Sequence, residues 1–255
     1  MQPRVALITG ASKGIGAVTA RVLAEKGYAV AVNARSEGAE KVAQELRNAD
    51  HRASAYPCDI SKKAAVVAMV DAVERELGPI EVLVNNAGVL NAAPTWEMAE
   101  AAWDEAFAVD VKGVFLCSQA VLQRMLPRKQ GRIIVVSSIA GLIVRTGQIA
   151  YSSAKAAAIH FARSLAIEVA PHGITVNCVC PGMTRTEMLV ESFAKRGLDV
   201  DAMVARIPTG RMSEADDTAN MIAFFASDEA AQITGQVICV DGGQSQFFPM
   251  AVKQA

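Results

Sequence analysis

Seven short runs rich in valine and isoleucine, separated by stretches of helical period, constrain this chain more than any of its other features. They lie at residues 4–8, 29–32, 53–56, 80–84, 132–136, 175–179 and 237–240. Most lack the alternation of a half-exposed strand, as strands covered on both faces do. Between them stand helical stretches such as 15–26, 64–77 and 154–170, and Gly27, Gly78 and Gly173 follow these where a helix end favours glycine. Strand–helix alternation predicts βαβ units, hence a doubly wound parallel sheet of seven strands with helices on both faces. With 255 residues, 52% of them hydrophobic, the chain has material for one large core, so 1–255 reads as a single α/β domain. Residues 183–212 break the rhythm, being polar with helical pieces and no strand. Beside the carboxyl ends of strands, such an insertion predicts a substrate lid.

A net charge of −1 leaves no basic surface for nucleic acid. No apolar stretch approaches the ~20 residues of a membrane span. The start of the chain shows no charged region, apolar run and cleavage site of a signal peptide, so a cytoplasmic protein is expected. The five cysteines are scattered without metal spacing and read as reduced, buried thiols, Cys178 and Cys180 facing the same side of one strand. His51, His160 and His172 have no partners at metal spacing either.

The first strand runs into Thr9-Gly10-Ala11-Ser12-Lys13-Gly14-Ile15-Gly16. Glycines there allow a tight turn and close approach to a pyrophosphate, and the following helix aims its amino end at it, as in a Rossmann fold. An acidic residue after the second strand would hold both ribose hydroxyls of NAD(H). The chain has Asn33-Ala34-Arg35-Ser36 instead, with no carboxylate. Arg35, with Lys13 near it, can bond a 2′-phosphate, which favours NADP(H) over NAD(H).

The fifth run ends in Ser137 and Ser138, and Tyr151 and Lys155 follow, four residues apart on one helix face. Reduction of a ketone needs a proton delivered to oxygen as hydride reaches carbon. A tyrosine beside an ammonium can give that proton, and the ammonium favours the tyrosinate needed for the reverse direction. Ser138 would hydrogen-bond the substrate oxygen.

With these residues the chain resembles the short-chain dehydrogenases/reductases. The likeness adds Cys58-Asp59-Ile60, Asn85-Asn86-Ala87-Gly88, Asn177, Pro181-Gly182 and Val240-Asp241-Gly242-Gly243, in the family's order. It implies that Asp59 and Ile60 meet the adenine. Asn86, Ala87 and Gly88 would line the path from adenosine to nicotinamide, with Lys155 on the nicotinamide ribose. The stretch 181–186, with Pro181 and Gly182 at its start, would hold the carboxamide through backbone groups of Thr184 and the Thr186 hydroxyl. Asn177 and Asp241 would brace backbone, and Trp103 would pack a helix. Dimers or tetramers would form through the helices around 103–126 and 152–170, with the apolar tail at Phe247, Phe248 and Met250 against a second subunit or the pocket.

One position departs from the family, whose catalytic asparagine falls in the register Asp110-Val111-Lys112-Gly113. Asp110 offers only acceptors and a negative charge behind Lys155.

For substrate, the chain resembles bacterial 3-oxoacyl-acyl-carrier-protein reductases along its length, which implies a 3-oxoacyl thioester and an acyl-carrier protein as partner. At the positions matching that family's docking arginines stand Lys129 and His172. The stretch from Arg145 to Tyr151 resembles dihydrodihydroxybenzoate dehydrogenases, where an arginine precedes the tyrosine by six. Arg145 and Arg185 would then receive a carboxylate. A cyclic diol, sugar or hydroxy acid is therefore a second substrate class, and Leu90, Leu142, Val144, Gln148, Met183 and Met188, with Val89, would form the rest of the pocket. An inactive NADP-binding regulator is the reading from another class, motivated by Asp110 alone.

Overall fold

The structure, a computed structural model, describes residues 3–35 and 37–246. Ser36 and the apolar tail at Phe247, Phe248 and Met250 lie outside them. The strands are β1 (Val5–Ile8), β2 (Ala29–Ala34), β3 (Ala53–Pro57), β4 (Ile80–Asn85), β5 (Gly131–Val136), β6 (Ile174–Pro181) and β7 (Val237–Val240). They form one parallel sheet in the order β3-β2-β1-β4-β5-β6-β7. The winding reverses between β1 and β4, and this switch opens a crevice at the carboxyl ends of the strands.

The helices are α1 (Gly14–Glu25), α2 (Gly38–Asn48), α3 (Lys63–Glu76), α4 (Glu100–Phe107), α5 (Val114–Arg128), α6 (Ile149–Val169), α7 (Glu187–Arg196), α8 (Val200–Val204) and α9 (Ala215–Ala226). Successive strand residues point to opposite faces, so each strand feeds two cores. Val5 and Leu7 pack with residues of α3, α5 and α6, whereas Ala6 and Ile8 pack with residues of α1, α2 and α9. A strand such as β1 must therefore be apolar at every position, which explains the missing alternation.

The helix expected at 154–170 starts earlier, at Ile149, so Tyr151 stands in its first turn. Between α4 and α5 the chain makes a wide π-helical turn, Ala108–Gly113. Asn177 braces the segment before β7, donating to the Ile233 carbonyl (2.8 Å) and accepting from the Gln236 amide (3.1 Å). Asp241 likewise accepts from the amides of Gly243 and Ser245. The Cys178 and Cys180 sulfurs lie 3.8 Å apart, both buried on one side of β6. Trp103 stacks on Phe107 at 4.7 Å. Among the described residues no helix is long and apolar enough to cross a membrane, and no group of three or more His, Cys, Asp or Glu is placed to hold a metal.

Candidate active site

The segments that follow β1 to β6 surround one cavity of about 420 Å³. It is lined by Gly10, Ser12, Lys13, Gly14, Ile15 and Gly16, the turn singled out in the sequence. Gly10 has φ +63°, and a Cβ there would stand 2.6 Å from the Cα of Ala87. A Cβ on Gly16 would run into the Asn86 amide and the Gly10 carbonyl. The turn is stitched to the loop after β4. Asn86 Nδ2 donates to the carbonyls of Thr9 (2.9 Å) and Gly10 (3.0 Å), while Thr9 Oγ1 accepts from the amides of Asn86 and Ala87. Asn86, Ala87 and Gly88 line the cavity as expected. The Asn86 side chain, however, is engaged in holding the turn.

At the far end stand Arg35, Asp59 and Ile60. Arg35 is 61% exposed, 3.8 Å from a Glu105 oxygen. Lys13 pairs with Glu187 at 2.9 Å, a contact no local pattern announces. Asp59 Oδ1 accepts from the amide and hydroxyl of Ser61 (2.9 and 2.8 Å), and these bonds hold its carboxyl below the usual range.

Ser138, Tyr151 and Lys155 meet at the opposite end. The Ser138 oxygen accepts from the Ala140 amide (3.1 Å), which leaves its hydroxyl hydrogen to donate elsewhere. Ser137 donates to the Lys155 carbonyl (2.9 Å) and ties β5 to α6. Lys155 Nζ donates to the Val136 carbonyl (3.3 Å) and lies 5.5 Å from the centre of the Tyr151 ring. Burial opposes its charge, but the Asp110 carboxylate, then Tyr151, outweighs that and holds the ammonium above the ordinary lysine range.

Asp110 is set back from these groups. It lies outside the cavity lining, fully buried behind Lys155 with Oδ2 at 3.5 Å from Nζ. Its Oδ1 accepts from the Val89 amide at 2.9 Å. Burial pushes its carboxyl up, against Lys155 and the Val89 amide, which favour the anion. The wide turn at Ala108–Gly113 places it there.

On the substrate side Leu90, Arg145, Gln148, Met183 and Met188 line the cavity, and Pro181, Gly182, Thr184 and Thr186 continue it. Thr186 accepts from the Leu189 amide at 3.4 Å as the cap of α7. Leu142 and Val144 do not belong to the lining, being 47% and 97% exposed. They sit between the turn Ile139–Gly141 and α6, where the loop turns its polar Arg145 and Gln148 inward instead. Arg145 Nη2 donates to Gln244 Oε1 at 3.3 Å, a link to the segment after β7 that no local pattern shows. Met183, Phe193, Ile207 and Met212 form a small core of their own under α7 and α8.

Residues 4–197 match the family described as short chain dehydrogenase. The chain is 44% identical, over 97% of its length and 98% of the relative's, to (2S)-[(R)-hydroxy(phenyl)methyl]succinyl-CoA dehydrogenase subunit BbsD of Thauera aromatica. It is 41% identical to cis-4-hydroxycyclohexanecarboxylate dehydrogenase of Sinomonas cyclohexanicum, covering 94% and 96% of the two chains. It is 37% identical to the 3-oxoacyl-[acyl-carrier-protein] reductase of Escherichia coli, again over 94% and 96%. Among solved structures, a variant actinorhodin polyketide ketoreductase with NADPH superposes with a TM-score of 0.93 at 35% identity, covering 96% and 98%. The family match over residues 4–197, relatives aligned over nearly their whole length and the common seven-stranded fold agree, and the chain belongs to the short-chain dehydrogenase/reductase family of oxidoreductases, which bind nicotinamide cofactors.

Proposed function

We propose that this chain is an NADP(H)-dependent oxidoreductase interconverting a carbonyl and a secondary alcohol, a cytoplasmic enzyme assembled as a homodimer or homotetramer. The observation that carries the reading is the convergence of Ser138, Tyr151 and Lys155 with the glycine turn on one cavity. A dinucleotide fits the residues present: Gly10 and Gly16 leave backbone where any Cβ would collide, and the Asp59 carboxylate is held ready for an amino group. Gly10 to Gly16 would hold the pyrophosphate, Asp59 and Ile60 the adenine, and Lys155 and Tyr151 the nicotinamide ribose. The 181–186 segment would hold the carboxamide. When bound, the nicotinamide supplies or takes up the hydride. Ser138 donates a hydrogen bond to the substrate oxygen, Tyr151 gives or takes the proton there, and the Lys155 ammonium supports the tyrosinate. Residues 183–212 act as the lid over this end.

The preference for NADP(H) rests on Arg35. Its partner Glu105 is distant and exposed, so a 2′-phosphate can replace it. Arg35→Ala is expected to weaken NADPH binding by about 10- to 100-fold, the loss of a charge-assisted hydrogen-bonding group, and NADH binding little. Dissociation constants from nucleotide fluorescence check this. Equal losses for both cofactors, or tighter NADH binding by the unmutated enzyme, overturn it.

The substrate class we favour is a 3-oxoacyl thioester, supported by the carrier-protein reductase and the succinyl-CoA dehydrogenase among the relatives. At the positions matching the docking arginines, Lys129 keeps a full charge and His172 is the weaker substitute, which counts against an acyl-carrier protein as partner. A hydroxy acid is the second reading, favoured by Arg145 in the lining and by the cyclohexanecarboxylate relative. A panel of 3-oxoacyl thioesters, cyclic keto acids, sugars and diketones with both cofactors decides. Thioester reduction by NADPH is the expected result. Keto acids turned over faster, with a KM raised by Arg145→Ala, would establish the second reading, and no turnover with any would refute both.

A further inference from the structure

Asp110 and Lys155 form a buried ion pair at the inner wall of the cavity, 45 residues apart in sequence and 3.5 Å apart in space. The carboxylate is 0% exposed and the lysine 4%. The two oxygens have different duties. Oδ1 accepts from the Val89 amide, in the loop after β4, and Oδ2 faces Lys155 of α6. No donor makes a hydrogen bond to Oδ2, which meets Lys155 as an ion pair. An anionic oxygen there faces the ammonium, whereas a protonated carboxyl would leave a buried ammonium without its counter-charge. Gly88 packs close against both, since a Cβ there would stand 3.0 Å from Lys155 Nζ and 3.2 Å from Asp110 Oδ1. An asparagine cannot do this work. It has one acceptor, and whichever donor that acceptor meets, the other would face an NH₂.

We propose that Asp110 is a positioning residue whose carboxylate clamps the β4 loop to Lys155 and, by cancelling part of the ammonium's field at Tyr151, sets the reaction's pH profile toward proton delivery to a carbonyl and away from alcohol oxidation. This rests on the acid/base role given to Tyr151 above. The sign follows from the charges. Lys155 alone favours tyrosinate, and a carboxylate 3.5 Å behind it weakens that field, so the tyrosine keeps its proton to higher pH. The other groups facing the pair come from three elements. Tyr151 lies on α6 with Lys155, Cys178 and Cys180 lie on β6, and Glu105 on α4 adds a second negative charge toward Asp110. The contact with Cys178, and then burial, pushes the Cys180 thiol up, so Cys180 supplies no competing anion.

The test is Asp110→Asn, measured in both directions with one alcohol–ketone couple. The basic limb of kcat/KM for oxidation is expected to move about one unit to lower pH, the scale of effect of a charge within a few ångströms. Reduction should lose its activity at correspondingly lower pH. A merely structural role would lower kcat at every pH and leave the limb where it is, which would overturn the proposal, as would a shift to higher pH. Two measurements stand apart from turnover. The first tyrosinate step in ultraviolet absorbance, identified by its loss in Tyr151→Phe, should move down in Asp110→Asn. The other two tyrosines, Tyr28 and Tyr56, are pushed up by burial and do not obscure it. In the unmutated protein the infrared spectrum at neutral pH should show no protonated-carboxyl stretch. Such a band, absent from Asp110→Asn, would show Asp110 neutral and end the proposal even if that variant folds poorly. If no substrate turns over but the absorbance step still moves, the fault lies with the functional reading and the clamp stands.

Discussion

Tyr151→Phe is expected to lower kcat by about 10²- to 10⁴-fold, the range that general acid–base catalysis contributes, and to leave NADPH binding within a few-fold. The reasoning is that of a subtraction. The ring stays, so the first turn of α6 and the contact 5.5 Å from Lys155 Nζ survive, and only the transferable proton is removed. Because that proton moves in the transition state and not on binding, kcat and kcat/KM should fall together while KM changes little. Single-turnover hydride transfer, followed by NADPH absorbance, separates the chemical step from product release. Activity within a few-fold of the unmutated enzyme would remove Tyr151 from its role and leave Ser138 as the only hydroxyl of the trio able to serve.

Lys155→Met should destabilise the fold more than a change of one cavity residue ordinarily does. The substitution is close to isosteric, but it leaves the Asp110 carboxylate buried without its cation. Removing one partner of a buried pair typically costs about 3–5 kcal/mol, which in a chain of this size lowers Tm by roughly 10 °C. The effect carries a pH signature. In the variant the lone Asp110 binds its proton more tightly when folded than when unfolded. The folded state then holds more protons, and stability falls as pH rises above the unfolded carboxyl range of about 4 until the folded carboxyl has ionised. The gap to the unmutated protein should therefore be narrow at pH 5 and wide at pH 8, in denaturant titrations at both. Adding Asp110→Asn should restore part of the loss, with a coupling of about 1 kcal/mol or more. A loss independent of pH, with additive mutations, would mean that Asp110 is already neutral beside Lys155.

These expectations depend on different amounts of the structure. Tyr151 and Lys155 needed only the four-residue spacing of one helix, and the glycine turn needed only its place between a strand and a helix. Both are local, and the structure brings both groups to one cavity. The start of α6 at Ile149 is not legible from helical period, because Ile149 and Ala150 follow Gly147 in a loop-like context. Ala150 nevertheless joins the cluster with Ala106 and Ala154, packed against Phe107 and Val111, and that contact draws the helix back to Ile149. Leu142 and Val144 were expected in the pocket because they are apolar and near Tyr151. Which side of that loop faces inward depends on Gln148 bridging to Ala93, across the crevice.

What the residue order determined by itself is what repeats or constrains the backbone over a few positions: the seven strands, the helices between them, and glycines where a Cβ has no room. Such features depend on strand and helix period and on local sterics, which contiguous residues carry entire. Only the tertiary structure decided that Asp110 comes to 3.5 Å from Lys155 with its other oxygen on the Val89 amide, that Lys13 meets Glu187, and that Arg145 meets Gln244. Each of these joins residues far apart in sequence, and side chains that reach across such gaps meet only after the sheet has set the spacing of the segments that carry them. For Asp110 the wide turn at Ala108–Gly113 makes a carboxylate expected behind Lys155 a fully buried counter-charge.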